Sequence, residues 1–204
     1  EGKIKPIHIF SKNVDVARFN QKELDKIKEP AREFWAKDTG EERFIEYFDK
    51  NCQAPKKLVL KVGAQVMLLV NLELKSGLCN GALGLVEGFT HSEVLVKFAN
   101  GIVYPIGIHE WEVKEQEAMA DGTFRYKVKA CRAQIPIKLA YAVTIHKVQG
   151  QTFDKAIIDP GEVFTYGQLY VALSRLKSLD GLSLKSFDPS KIMANSECLN
   201  FYKK

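Results

Sequence analysis

Two short stretches hold the residues best suited to handling phosphate. In residues 144–152, Thr144, His146, Lys147, Gln149, Gln151 and Thr152 crowd hydroxyl, imidazole, ammonium and amide groups onto a turn that Gly150 permits, directly after the apolar run 139–143. Such a run reads as a buried strand. In an open α/β sheet, ligands sit beyond the carboxyl ends of strands, where hydroxyls, backbone N–H groups and a lysine can converge on phosphate. A polar turn is also the ordinary way to end a strand, so the stretch alone fits either a phosphate contact or a plain turn. In residues 166–175, Leu169, Ala172 and Leu173 share a helical face with Leu176, and Arg175 stands near the helix end. Its guanidinium can reach beyond its own domain or fold back onto the last helix carbonyls, and spacing leaves both readings open.

The elements that must position these groups follow from periodicity. Residues 7–10 read as a strand, followed by a helix that Asn13 caps and whose face carries Val16, Phe19, Leu24 and Ile27. Residues 29–57 are rich in charge, with Phe34, Trp35, Phe44, Tyr47 and Phe48 scattered among them, and read as a helical or irregular connector whose aromatics serve packing. From residue 58 the texture turns to short β-rich runs separated by Asn80-Gly81, Asn100-Gly101 and Asp121-Gly122, pairs suited to positive-φ turns, and the spacing suggests a small barrel. Val94, Val96 and Phe98 alternate before Asn100-Gly101, and Ile102, Tyr104 and Ile106 alternate after it, which predicts a hairpin with one buried face. Further on, Phe124, Tyr126 and Val128 alternate with Arg125, Lys127 and Lys129. The basic side fits a phosphate backbone or a solvated strand face. From residue 135 the pattern is α/β: strands at 139–143 and 156–158, a break at Pro160-Gly161, and a capping box of Thr165 and Gln168 opening the helix. Asp180-Gly181 then turns the chain into a strand at 182–187, and Asp188-Pro189 begins a last helical segment.

Composition bounds the class. A chain of 204 residues, 46% of them hydrophobic, can bury a core as one large domain or two small ones. Its longest aliphatic stretch, 66–70, falls far short of the roughly 20 residues that cross a bilayer, so no membrane role is expected. Cys52, Cys79, Cys131 and Cys198 lie far apart, without the close pairing of zinc or redox motifs, and read as buried thiols in an intracellular compartment. No metal site is expected. A net charge of +5 permits a polyanionic partner without requiring one. The chain opens at Glu1-Gly2 and is read as part of something longer.

In this order and separation, residues 144–152 and 166–175 resemble the fifth and sixth motifs of superfamily-one helicases, and the wording is most similar to the Pif family of 5′-to-3′ enzymes. Residues 58–69 with 77–81 resemble that family's inserted Src-homology-3-like barrel, and 134–140 resembles the return into the motor. Asn13 and Val16, after the 7–10 strand, resemble the fourth motif. The resemblance implies an α/β fold: the second of two RecA-like motor domains, with a small β-barrel inserted. Residues 1–57 would form its first part, 58–132 the barrel, and 133–204 the remainder.

The resemblance also implies an ATP-driven translocase on single-stranded DNA that unwinds duplexes. Arg175 would be the arginine finger, meeting charge on the γ-phosphoryl group. Asn13, Thr144, His146 and Lys147 would contact DNA, while Gln149, Gly150, Gln151 and Thr152 would join DNA movement to the nucleotide. Val148 stands where the family often has serine. The chain contains no G-x-x-x-x-G-K-[ST] phosphate loop, so ATP and Mg²⁺ belong to the intact enzyme. This part alone is expected to bind neither tightly and to hydrolyse no ATP. The implied partners are single-stranded DNA, DNA junctions and an N-terminal RecA-like domain of the same polypeptide, in a monomer. The compartment would be the cytoplasm in a bacterium and the nucleus or mitochondrion in a eukaryote. Two other classes compete: a RecD-like or relaxase-type helicase, and a free-standing nucleic-acid-binding module without ATPase activity. A peptide adaptor built on the barrel rests only on Tyr104 and Trp111.

Overall fold

The computed structural model describes residues 3–119, 123–148, 151–159, 167–186 and 200–201. The features expected at Asp121-Gly122, Gln149, Gly150, Pro160-Gly161, Thr165 and Asp188-Pro189 lie outside the described residues. In chain order the elements are β1 (Ile7–Phe10), α1 (Asn13–Asp25), β2 (Arg32–Trp35), β3 (Lys37–Gly40), α2 (Glu42–Asn51), β4 (Lys57–Leu60) and β5 (Gln65–Leu68). Then follow β6 (Leu83–Phe89), β7 (Val94–Phe98), β8 (Val103–Ile106), β9 (His109–Ala118) and β10 (Phe124–Gln134). The chain closes with β11 (Ile137–Leu139), β12 (Ala142–Thr144), β13 (Ala156–Ile158), α3 (Gln168–Leu173) and β14 (Leu182–Leu184). It divides into two compact units, Glu1–Lys28 with Leu139–Lys204, and Glu29–Lys138.

The first unit is built on a parallel sheet in the order β12-β1-β13-β14. Parallel strands are covered on both faces and therefore read as apolar runs. Ile7, Ile9, Ala142, Val143, Ala156 and Ile158 are all at most 3% exposed. Helix α1 packs against β12, but its buried line is Asn20, Glu23 and Leu24, with Val16, Phe19 and Ile27 only half-buried. Glu23 tolerates this burial because Lys5 and Lys26 both bond its carboxylate.

Two expected caps differ. Lys12, extended at φ −115° and ψ 139°, is the N-cap of α1 and makes no side-chain cap bond. Asn13 is already the first helical residue, so its side chain cannot play the capping part, and it is exposed. At α3 the N-cap is Gly167 in the left-handed region at φ 75°, which makes Gln168 the first helical residue rather than the third.

The second unit holds three sheets: β2-β4, β3-β10-β9, and the five-stranded β11-β5-β6-β7-β8, in which β5 to β8 run antiparallel. Residues 29–57, expected as a helical or irregular connector, are helical in α2 but also form β2 and β3, because β2 pairs with β4 and β3 with β10. Among their aromatics Phe48 is buried, whereas Trp35 and Tyr47 are 62% and 52% exposed. The β7-β8 hairpin forms as expected, with Val94, Val96, Phe98 and Ile106 buried, but Ile102 lies outside it in a four-residue loop and is exposed. Asn100 there bonds Ile102 N and Ser76 O. The three described cysteines are free thiols and half-buried, not fully buried. Among the described residues no helix is long and apolar enough to cross a membrane.

Candidate functional site

Sheet register decides which polar residues of the first unit share an edge. Phe10 stands opposite Thr144, and Ile9 opposite Ile158, so residues 11–13, 145–148 and 159 all leave the sheet at its carboxyl end. After Thr144 the chain makes a 3-10 turn, Ile145–Val148. Ile145 is buried and anchors the turn, while His146 and Lys147 are exposed and make no ion pair among the described residues. Thr144 itself is only 3% exposed. Asn20 fixes this strand from below: its Oδ1 accepts from Tyr141 N and Ala142 N at 2.9 Å each, and its Nδ2 donates to Ala142 O at 3.0 Å.

The two motif segments meet through backbone bonds. Phe153 N donates to Arg175 O at 2.8 Å, and Lys177 N donates to Phe153 O at 3.1 Å, a parallel bridge that pairs Phe153 with Leu176. Phe153, Leu169 and Ala172 are buried and hold the junction. Thr152, exposed, is thereby brought beside Arg175, and Gln151 before it is buried. Arg175 folds back on its own helix: Nε donates to Val171 O at 3.2 Å and to Ser174 Oγ at 3.3 Å, and Nη2 to Ser174 Oγ at 3.0 Å. Gln149 and Gly150 fall outside the described residues.

Two buried polar atoms have no partner among the described residues, Ser11 Oγ and Gln151 Oε1. Buried polar atoms are nearly always satisfied, so each marks a place suited to a ligand or water. Ser11 directly follows β1 on the same edge as Thr144. A cavity of about 310 Å³ lies elsewhere in the first unit, among Lys5, Pro6, His8, Glu23 and Tyr141 at the amino ends of β1 and β12. Burial pushes Glu23 up, but the hydrogen bonds from Lys26 and Lys5 outweigh it and hold the carboxyl below its usual range. His8 is depressed by burial and then by the charge of Lys185. Lys5 and Lys26 are both neutralised by Glu23, so this cavity is less suited to an anion than the carboxyl edge.

In the second unit the basic strand is committed to acids. Lys129, Lys127 and Arg125 reach Glu117 at 3.0, 3.4 and 3.9 Å. The bond from Lys129 is the largest effect holding the Glu117 carboxyl below its ordinary range. Phe124, Tyr126 and Val128, the apolar side of this alternation, are 64%, 72% and 45% exposed, because no element covers that end of the hairpin among the described residues.

Sequence reasoning missed Ser11, Asn20 and Ser174. Asn20 had a usable signal, an amide one residue after Phe19 on the apolar side of its helix; the hydroxyls of Ser11 and Ser174 had none beyond adjacency to Lys12 and Arg175.

Among the described residues no group of three His, Cys, Asp or Glu side chains stands close enough to hold a metal. A parallel sheet with Thr144, His146 and Lys147 at its carboxyl edge fits a RecA-like helicase fold, and solved structures agree. The unliganded Pif1 of Bacteroides sp. superposes with a TM-score of 0.86 at 30% identity, covering 98% of this chain and 45% of that one. The same protein has been solved with ADP-AlF4 at TM-score 0.85 and bound to single-stranded DNA at 0.75. The chain belongs to the Pif1 helicase family. Residues 43–89 match the family described as DNA helicase Pif1, 2B domain. The rat ATP-dependent DNA helicase PIF1 is 39% identical over 191 residues, 92% of this chain and 28% of the relative. The Pif1 of Bdellovibrio bacteriovorus is 34% identical over 96% of this chain and 42% of its own length. The chain thus spans less than half the length of these relatives, corresponding to their C-terminal part.

Proposed function

We propose that this chain is the second motor half of an ATP-driven 5′-to-3′ DNA helicase, working inside the cell as a monomer on single-stranded DNA and DNA junctions. The nucleotide would lie between this half and an N-terminal RecA-like domain of the same polypeptide. The first unit would be the RecA-like domain. The second, with its small antiparallel sheet, would be the inserted Src-homology-3-like barrel, enlarged to begin at Glu29. The observation that carries the reading is the bridge between Phe153 and Leu176, which joins the two motif segments and brings Thr152 beside Arg175.

In this reading Arg175 spreads positive charge onto the γ-phosphoryl group of ATP as it leaves. Gln151 and Thr152, with Gln149 and Gly150, couple that event to the DNA-facing turn. His146, Lys147 and Asn13 are exposed and meet the DNA backbone; Thr144, being buried, supports the turn from beneath. The described residues offer no carboxylate set for Mg²⁺. The metal would be held by the nucleotide phosphates and by the phosphate loop of the other domain.

The test is Arg175→Ala in the full-length protein. DNA-stimulated ATP turnover is expected to fall by ~10³ with DNA affinity unchanged, because the guanidinium acts where charge develops rather than in ground-state binding. Turnover at the parent's rate would make Arg175 a helix cap and remove the assignment.

A further inference from the structure

We propose that Ser174 is a positioning residue that holds Arg175 side-on and leaves the far edge of its guanidinium ready for a phosphoryl group; this rests on the helicase reading above. The end of α3 tightens. In a continued α-helix the Arg175 N–H would reach Val171 O, but it bonds Ala172 O instead at 3.2 Å, as Leu176 N bonds Leu173 O. Val171 O is therefore left to side chains. Ser174 Oγ donates to it at 3.0 Å, and Arg175 Nε donates to it at 3.2 Å.

With its one hydrogen engaged by Val171 O, the Ser174 hydroxyl presents its lone pairs to the arginine, accepting from Nε at 3.3 Å and from Nη2 at 3.0 Å. A guanidinium has a rigid, planar set of five N–H donors. The Nε and inner Nη2 donors form one edge, and that is the edge the helix end engages. The outer pair on Nη1 and Nη2 bonds no described residue and is the fork that pairs bidentately with phosphate oxygens. The arrangement reconciles the two roles open to an arginine at a helix end: one edge caps, and the other remains available. A side chain with its rotamer fixed before the reaction loses less freedom when charge develops.

The experiment measures DNA-stimulated ATP turnover of the full-length protein for Ser174→Ala, Ser174→Thr, Arg175→Ala and the Ser174→Ala/Arg175→Ala double variant. Ser174→Ala should lower kcat about tenfold while KM for ATP and DNA affinity stay within about twofold. Ser174→Thr, which keeps the hydroxyl, should restore turnover. In the double variant the serine change should cost nothing further, since Ser174 acts through Arg175. Ser174→Cys, similar in size with a weak acceptor, covers the case in which alanine loosens the helix end: slow turnover with cysteine and rescue by threonine supports the proposal. Parent-like turnover of both Ser174→Ala and Ser174→Cys beside a collapsed Arg175→Ala, or a further loss in the double variant, overturns the positioning role alone. Parent-like turnover of Arg175→Ala overturns the reading beneath it.

Discussion

Lys147 and Lys127 look alike in the sequence, each a lysine in a polar stretch that can follow a phosphate backbone, and the two units treat them oppositely. Lys147 leaves the carboxyl edge of a parallel sheet on a turn with no acidic neighbour, exposed and unpaired among the described residues. Lys127 stands on β10 opposite Glu115, and its ammonium bonds Glu117 at 3.4 Å, as do those of its neighbours. An antiparallel partner strand brings its own charges into register with the basic ones, whereas the end of a parallel strand has no such partner. A basic alternation is therefore informative only once the facing strand is known.

The largest effect expected tests how far the second unit commits its charges. Arg132 is 1% exposed, bonds both oxygens of Asp38 at 2.8 Å, also bonds Asp49, and lies over the Phe48 ring. Arg132→Ala would strand the nearly buried Asp38 carboxylate and should destabilise by about 3–5 kcal/mol, measured by urea unfolding. A destabilisation no greater than that of Lys127→Ala would mean the network is loose and the contrast between the units overstated. The counterpart in the first unit is Asn20→Ala, which removes the partners of Tyr141 N, Ala142 N and Ala142 O together. Its expected cost is on the order of 2 kcal/mol, and hydrogen exchange should quicken at Ala142 and Thr144. Unchanged protection there would show that β12 holds its place without the amide.

Much of this was legible in the sequence where one residue type answers to one environment. Residues 156–158 became a strand because a continuous apolar run fits a sheet covered on both faces, and residues 7–10 because Ile7 and Ile9 alternate into the core. The likeness to the Pif family was carried by the two motif segments, and the structure brings them together at Phe153 and Arg175. What failed was nonlocal. Residues 29–57 read as a connector because their partners, β4 and β10, lie far along the chain. Phe124, Tyr126 and Val128 alternated as a buried face should, yet alternation shows that a strand has two faces and not that either is covered. The parking of Arg175 on Ser174 depends on a 3-10 tightening of one helix turn, which no spacing reveals.

The most direct test sets the two lysines against each other: the salt dependence of single-stranded DNA affinity for the full-length protein, for Lys147→Ala and for Lys127→Ala. Removing one lysine–phosphate pair should flatten the slope of log affinity against log salt by about 0.7. Lys147→Ala is expected to weaken binding and flatten the slope by about one such pair, while Lys127→Ala, its charge already answered by Glu117, leaves both unchanged. A flattened slope for Lys127→Ala beside an unchanged one for Lys147→Ala would place the DNA on the second unit's strand and contradict the account.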